Sequence, residues 1–216
     1  MLASTAPVAR PRTLADALAM RNDDPDATVL AGGTDVFVYL EAGVRAPTRV
    51  IDLWGCVGLG GIGIVDAHIR PGATTTYTQL LQHPLLPNNL KEAALTVGAV
   101  QIQNRGTIGG NICNGSPAGD TLPVWLALDA VFELQSVNGS RRVPAAEYWL
   151  AYKKSQLQPN EILVAVHLPE QGGTAHFRKV GTRMAQSISK VVFAARRADG
   201  VARLAFGAVG PVPFRV

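Results

Sequence analysis

Groups that perform chemistry are scarce in this 216-residue chain, which has four histidines, two cysteines and 6% aromatic residues. Cys56 and Cys113 lie far apart with no CxxC spacing and no clustered histidine, so the chain by itself holds neither a zinc ion nor an iron–sulfur cluster. Both are read as ordinary thiols, because a disulfide is not expected in a reducing compartment. His68, His83, His167 and His176 are read as surface or internally satisfied side chains. No run approaches the ~18 apolar residues of a membrane span. The opening MLASTAPVAR lacks the charged start and apolar centre of a signal peptide, so a cytoplasmic protein is expected. The net charge is +4, but basic residues form doublets only at 141–142, 153–154 and 196–197, without interleaved aromatics. That pattern describes a solvated surface and no nucleic-acid partner.

Glycine, by contrast, is plentiful at 22 residues, and four of them fall in TIGGNICNGSPAGD, residues 107–120, a stretch without His, Lys, Arg or Glu. Glycine at that density marks backbone that takes positive φ or approaches something closely. The 47% hydrophobic and 17% charged content describes a globular chain long enough for one large domain or two small ones.

Helix and strand patterns alternate along the chain. RTLADALAMRN predicts a short amphipathic helix capped by Thr13, and ATVLAGG a strand ending in two glycines. TDVFVYLEAG then predicts a helix from Thr34 to Gly43, followed by a strand in RVIDL. AHIRPGATTTYTQLLQHP reads as a strand and a short helix stopping near Pro84, and NNLKEAALTVGAV as one further helix. DTLPVWLALDA predicts a helix with Asp120 as its cap and Pro123 in its first turn. Strands follow: a hairpin about Asn138-Gly139, an alternating strand in EILVAVHLP, and two strands about Asp199-Gly200. This order predicts an α+β fold with mixed sheets.

Two loops share a design. AGGTD at 31–35 joins a predicted strand to a helix, and TIGG at 107–110 precedes a predicted irregular segment. Successive amides of a Gly-Gly segment can point into one concavity, and both loops are expected to offer bare amides to a phosphate oxygen, with Thr34 and Thr107 adding hydroxyls. A single Gly-Gly pair is commonly only a tight turn. Neither loop matches GxGxxG or GxxxxGK[ST], which excludes the usual nicotinamide and P-loop readings.

VLAGGTDVFVYLEAG and VGAVQIQNRGTIGGNICNGSPAGDTLPVWLALDA resemble the two flavin motifs of the FAD-binding medium subunit of molybdenum hydroxylases, the xanthine dehydrogenase and carbon monoxide dehydrogenase flavoprotein family. HFRKVGTRMAQSISKVVFAA resembles the start of that family's C-terminal domain. The resemblance implies a two-subdomain FAD-binding domain of the vanillyl-alcohol-oxidase/PCMH type over residues 1–172, with subdomains 1–55 and 56–172. Residues 173–216 would be the first strands of a shortened C-terminal α/β domain, ending in a hairpin with an open edge.

The same resemblance implies that Gly32, Gly33, Thr34 and Asp35, flanked by Ala31 and Val36, wrap the FAD pyrophosphate together with Thr107, Ile108, Gly109 and Gly110. Asn111, Ser116 and Asp120 match positions at the ribityl and flavin end, and Lys179 matches a lysine near the flavin. For Arg183 and Lys190 a solvated-strand role competes, and Met184 departs from the polar side chains of many relatives. The implied protein is an electron-transfer subunit whose FAD collects electrons from two-iron two-sulfur clusters in a small partner subunit. A large partner subunit with a molybdenum cofactor would hydroxylate the substrate, and NAD is the common acceptor in the xanthine dehydrogenase branch. A stand-alone flavin oxidase of the same fold and a flavin-free assembly module are the alternatives.

Overall fold

The computed structural model describes residues 6–44, 47–169, 172–183 and 186–216. The chain opens with β1 (Val8–Ala9), α1 (Leu14–Asp23), β2 (Thr28–Leu30), α2 (Val36–Glu41) and β3 (Val50–Asp52). The strands form a parallel sheet in the order β1-β3-β2. Thr13 caps α1 as expected: its hydroxyl accepts from the Asp16 amide at 3.2 Å, and the Asp16 carboxylate accepts from the Thr13 amide at 3.3 Å. This reciprocal pair fixes the helix start, so that Ala17 and Leu18 pack with Ile51 and Leu53 in one core. Thr13→Ala is expected to lower stability by about 1 kcal/mol in urea unfolding, with flavin binding unchanged. The second helix starts at Val36, two residues later than the sequence suggested, and buries none of its residues.

A hairpin of β4 (Ile62–Val65) and β5 (His68–Pro71) leads to α3 (Tyr77–Gln82), which stops before Pro84. The helix expected over 88–100 is broken into α4 (Asn88–Leu95) and α5 (Val100–Gln103), with Gly98 between them at φ +55°. The glycine-rich segment then forms α6 (Ile108–Asn114), and α7 (Leu122–Ala127) follows. The irregular chain expected after TIGG is therefore a helix. Thr107 caps its start, Gly115 takes left-handed geometry at its end, and Ile108 and Ile112 anchor one face in the core. Two caps and two buried isoleucines outweigh the poor helix propensity of Gly109 and Gly110.

Next come β6 (Val131–Ser136), β7 (Gly139–Pro144), α8 (Ala145–Tyr148), β8 (Trp149–Ala151), β9 (Lys154–Ser155) and β10 (Ile162–His167). Ser136 pairs with Gly139, so the hairpin turn is Val137-Asn138, one residue earlier than the Asn-Gly signal implied. The order is β10-β6-β7. Every residue of β10 is buried, contrary to simple alternation, because the strand is a wall between two cores. Ile162 and Val164 face the core of the first unit, while Leu163 and Val166 face the larger core around Trp125 and Phe132.

Across this sheet, the Glu133 carboxylate lies 2.7 Å from His167 Nε2 and accepts from Arg70 Nε at 3.1 Å. Burial alone would raise the Glu133 pKa, but His167 and Arg70 together hold it below its ordinary value. A depressed carboxylate pKa means stability that is present above the unfolded value near 4.5 and lost as pH falls through the folded value. Glu133→Gln is expected to cost about 1.5–3 kcal/mol at neutral pH. Urea midpoints at a series of pH values should fall less steeply below pH ~4.5 in the variant than in the parent.

The chain closes with an antiparallel sheet of β11 (Thr174–Gly181), β12 (Ser189–Ala198), β13 (Val201–Gly207) and β14 (Phe214–Arg215), in that order. Asp199 and Gly200, at φ +52° and +75°, form the expected two-residue turn between β12 and β13. This sheet packs on α7 and α4. The architecture is the expected α+β, and no described helix is long and apolar enough to cross a membrane.

Candidate cofactor site

A cleft of about 980 Å³ runs past the turn that follows β2 and the start of α6. Ala31, Gly32, Gly33, Thr34, Asp35 and Val36 all line it. Among the described residues, the backbone amides of residues 32–36 donate to no protein acceptor. Five adjacent free N–H groups beside a cleft are a set of donors awaiting an anion. A side chain at Gly32 would collide with the Arg105 carbonyl, and Gly33 takes φ +80°, so the loop keeps its shape only with glycine at both positions. The surroundings desolvate Asp35 and push its carboxyl pKa upward, with Lys153 acting in the opposite direction.

The second loop is built differently. Ile108 N–H donates to the Thr75 carbonyl at 3.0 Å and Gly109 N–H to the Ala73 carbonyl at 2.8 Å. Gly110 N–H donates to Thr107 Oγ1 at 3.1 Å. The expectation of bare amides in both loops therefore holds for the first and not for the second. A Cβ at Gly109 would lie 2.7 Å from both the Cβ and the carbonyl oxygen of Ala73, so this glycine serves close packing. Thr107, Gly109, Gly110, Asn111 and Ser116 still form cleft wall, whereas Ile108 is turned into the core and fully buried.

Asp120 lines the cleft but is not a helix cap. The N-cap of α7 is Thr121, which makes no side-chain cap bond. The Asp120 carboxylate instead accepts from Lys179 Nζ at 2.7 Å, Ser189 Oγ at 2.5 Å and Thr96 Oγ1 at 3.2 Å. Lys179 also donates to the Thr96 carbonyl at 3.1 Å. Lys179 does not reach the cleft wall; with 9% side-chain exposure, and Asp120 at 8%, it neutralises the carboxylate from behind. A charged partner and two hydroxyls make a stronger environment for the carboxylate than a helix cap would. Asn111 Oδ1 is likewise committed, accepting from Thr121 Oγ1 at 2.7 Å.

Sequence reasoning missed several cleft residues. Tyr77, buried in the core, contributes to the cleft wall from α3. Lys153 donates to Tyr39 at 2.8 Å, and Tyr39 donates to Asn114 at 3.1 Å, a chain that pins α2 beside α6. Arg21 lines the cleft from α1, and Ser187 and Ile188 line it from the segment before β12. These residues come from elements far apart in sequence, so no local motif marks them. Arg183 turns to the Gln186 carbonyl and Lys190 is exposed, while Met184 lies outside the described residues. Among the described residues no three His, Cys, Asp or Glu side chains gather as metal ligands. Free amides and glycine-lined walls suit a bound dinucleotide with a pyrophosphate at its centre.

Residues 3–171 match the family described as the FAD binding domain in molybdopterin dehydrogenase. The xanthine dehydrogenase FAD-binding subunit of Escherichia coli O157:H7 is 38% identical over 219 residues, covering 95% of this chain and 75% of that protein. The nicotinate dehydrogenase FAD-subunit of Eubacterium barkeri is 31% identical over 191 residues, covering 84% of this chain and 64% of that one. Among solved structures, carbon monoxide dehydrogenase from Hydrogenophaga pseudoflava superposes with a TM-score of 0.92 at 27% identity, covering 100% of this chain and 78% of the matched chain.

Proposed function

Because the chain belongs to the family of FAD-binding domains of molybdopterin dehydrogenases, we propose that its cleft holds FAD with the pyrophosphate on the amides of residues 32–36. The free state of those five amides is the observation that carries this reading. Thr34 adds a hydroxyl donor, and Thr107, Gly109, Gly110, Asn111 and Ser116 form the facing wall, with Ile108 supporting it from the core. Asp120 borders the ring end, and Lys179 acts through it. On this reading residues 1–172 are the cofactor domain, in subdomains 1–55 and 56–172, and residues 173–216 belong to a C-terminal domain; Ser187 and Ile188 of that part line the cleft.

When bound, FAD would supply the redox chemistry, electron transfer from two-iron two-sulfur clusters of a small partner subunit to an acceptor such as NAD. A large subunit with the molybdenum cofactor completes the complex, in the cytoplasm. This chain's own residues bind the dinucleotide and exclude water; none is placed as a nucleophile or general base. Titration of the purified chain with FAD and with riboflavin tests the reading. FAD should survive desalting with a flavin absorption spectrum and riboflavin should not, since only FAD carries the pyrophosphate. Bleaching by NADH would support nicotinamide as the redox partner, and a colourless chain after FAD treatment would overturn the binding proposal.

A further inference from the structure

Arg105 is gripped from two sides by the ends of neighbouring strands. Its carbonyl oxygen packs so closely against Gly32 that no side chain fits there. Its guanidinium stacks on the Trp54 ring, the central carbon lying 3.6 Å from the ring centroid. Gly32 and Trp54 each stand two residues past the end of their strand, β2 and β3, which pair side by side. Leu53 N–H donates to the Leu30 carbonyl at 2.7 Å and Trp54 N–H to Asp52 Oδ1 at 3.0 Å, so the two strand ends form one fixed edge. Arg105 lies two residues before Thr107, the cap of α6, and its own N–H donates to the Ile102 carbonyl at 3.1 Å. Main chain and side chain of one residue therefore fasten the start of α6 to the edge of the first sheet.

Among the described residues, no carboxylate or carbonyl accepts from the Arg105 guanidinium, so the indole face is what holds it in place. Neither Trp54 nor Arg105 lines the cleft, whereas their neighbours Leu53, Gly106 and Thr107 do. The stacked pair thus acts on the cleft from outside, fixing how far the amides of residues 32–36 stand from the wall that begins at Thr107. We propose that Trp54 and Arg105 are positioning residues for the cofactor, a clasp that holds the two glycine loops at the separation the pyrophosphate needs without touching it. When the clasp opens, the cleft widens at its phosphate end and fewer molecules are competent to bind. Apparent affinity falls in proportion to that fraction.

The inference rests on the FAD reading above, and fluorescence titration with FAD, with urea unfolding on the same variants, separates the two. Trp54→Ala and Arg105→Ala should each weaken FAD binding about two- to fivefold, the fold-change of one exposed cation–π contact. Combined, they should weaken it no further than either alone, because the clasp breaks only once. Trp54→Phe keeps an aromatic face and should hold most of the parent affinity. Arg105→Lys, whose compact ammonium stacks less well, should fall between parent and alanine variant, and serves if Arg105→Ala does not fold. Parent affinity in both alanine variants would overturn the inference even if the urea midpoint falls, since that result marks a merely structural contact. Losses that multiply in the double variant, or a Trp54→Phe protein as weak as Trp54→Ala, would overturn it too. If the parent chain itself binds no FAD, the cofactor reading falls, and this inference with it.

Discussion

Gly32→Ala should abolish FAD retention while leaving a folded chain. The Cβ of alanine would occupy the space of the Arg105 carbonyl, a backbone atom that cannot rotate away. One of the two loops must therefore shift, and the amides of residues 32–36, which are proposed to hold the pyrophosphate, are displaced with it. Losing two charge-assisted hydrogen bonds at about 1.5–3 kcal/mol each weakens binding by roughly a hundredfold or more. The folding cost of such overpacking is about 1–3 kcal/mol, within the margin of a typical domain. Desalting after FAD treatment, with circular dichroism on the same sample, reads both quantities. Gly63→Ala is the control: its Cβ would meet nothing within 4 Å, and the residue lies outside the cleft wall. That variant should keep the cofactor.

Lys179→Met should destabilise the whole protein by about 3–5 kcal/mol, because it leaves the Asp120 carboxylate buried without its cation. For a chain of this size that corresponds to a fall in Tm of roughly 6–20 °C. The pair also joins β11 to the segment before α7, and Ser189 at the start of β12 completes the joint. Its loss should therefore loosen the sheet that brings Ser187 and Ile188 to the cleft. Combining Lys179→Met with Asp120→Asn removes both charges and should recover part of the stability, read as a double-mutant cycle in urea. A stability equal to the parent in Lys179→Met would show that the pair carries no net energy.

Much of the architecture was legible because local signals agreed with burial. Thr13, Pro84 and Asp199-Gly200 each acted where short-range chemistry placed them. The first glycine loop was legible for the same reason, since a strand, two glycines and a helix start lie within a few residues. The second loop misled because its amides are satisfied by Ala73 and Thr75, partners about thirty residues earlier that no spacing rule reveals. Asp120 looked like a cap because a carboxylate just before a helix is locally plausible. Its real partners, Lys179 and Ser189, arrive from a sheet that forms much later in the chain. Full burial of β10 was hidden for a similar reason: alternation records one core, and this strand has a core on each side.

The central claim is that the cofactor's phosphates sit on the amides of residues 32–36, and amide chemical shifts on titration with FAD test it directly. Backbone ¹H and ¹⁵N resonances of Gly32, Gly33, Thr34, Asp35 and Val36 should move strongly as each free N–H acquires an acceptor. Those of Ile108, Gly109 and Gly110, already bonded within the protein, should move less. Saturation with FAD that leaves residues 32–36 unperturbed would contradict the claim and place the phosphates elsewhere in the cleft.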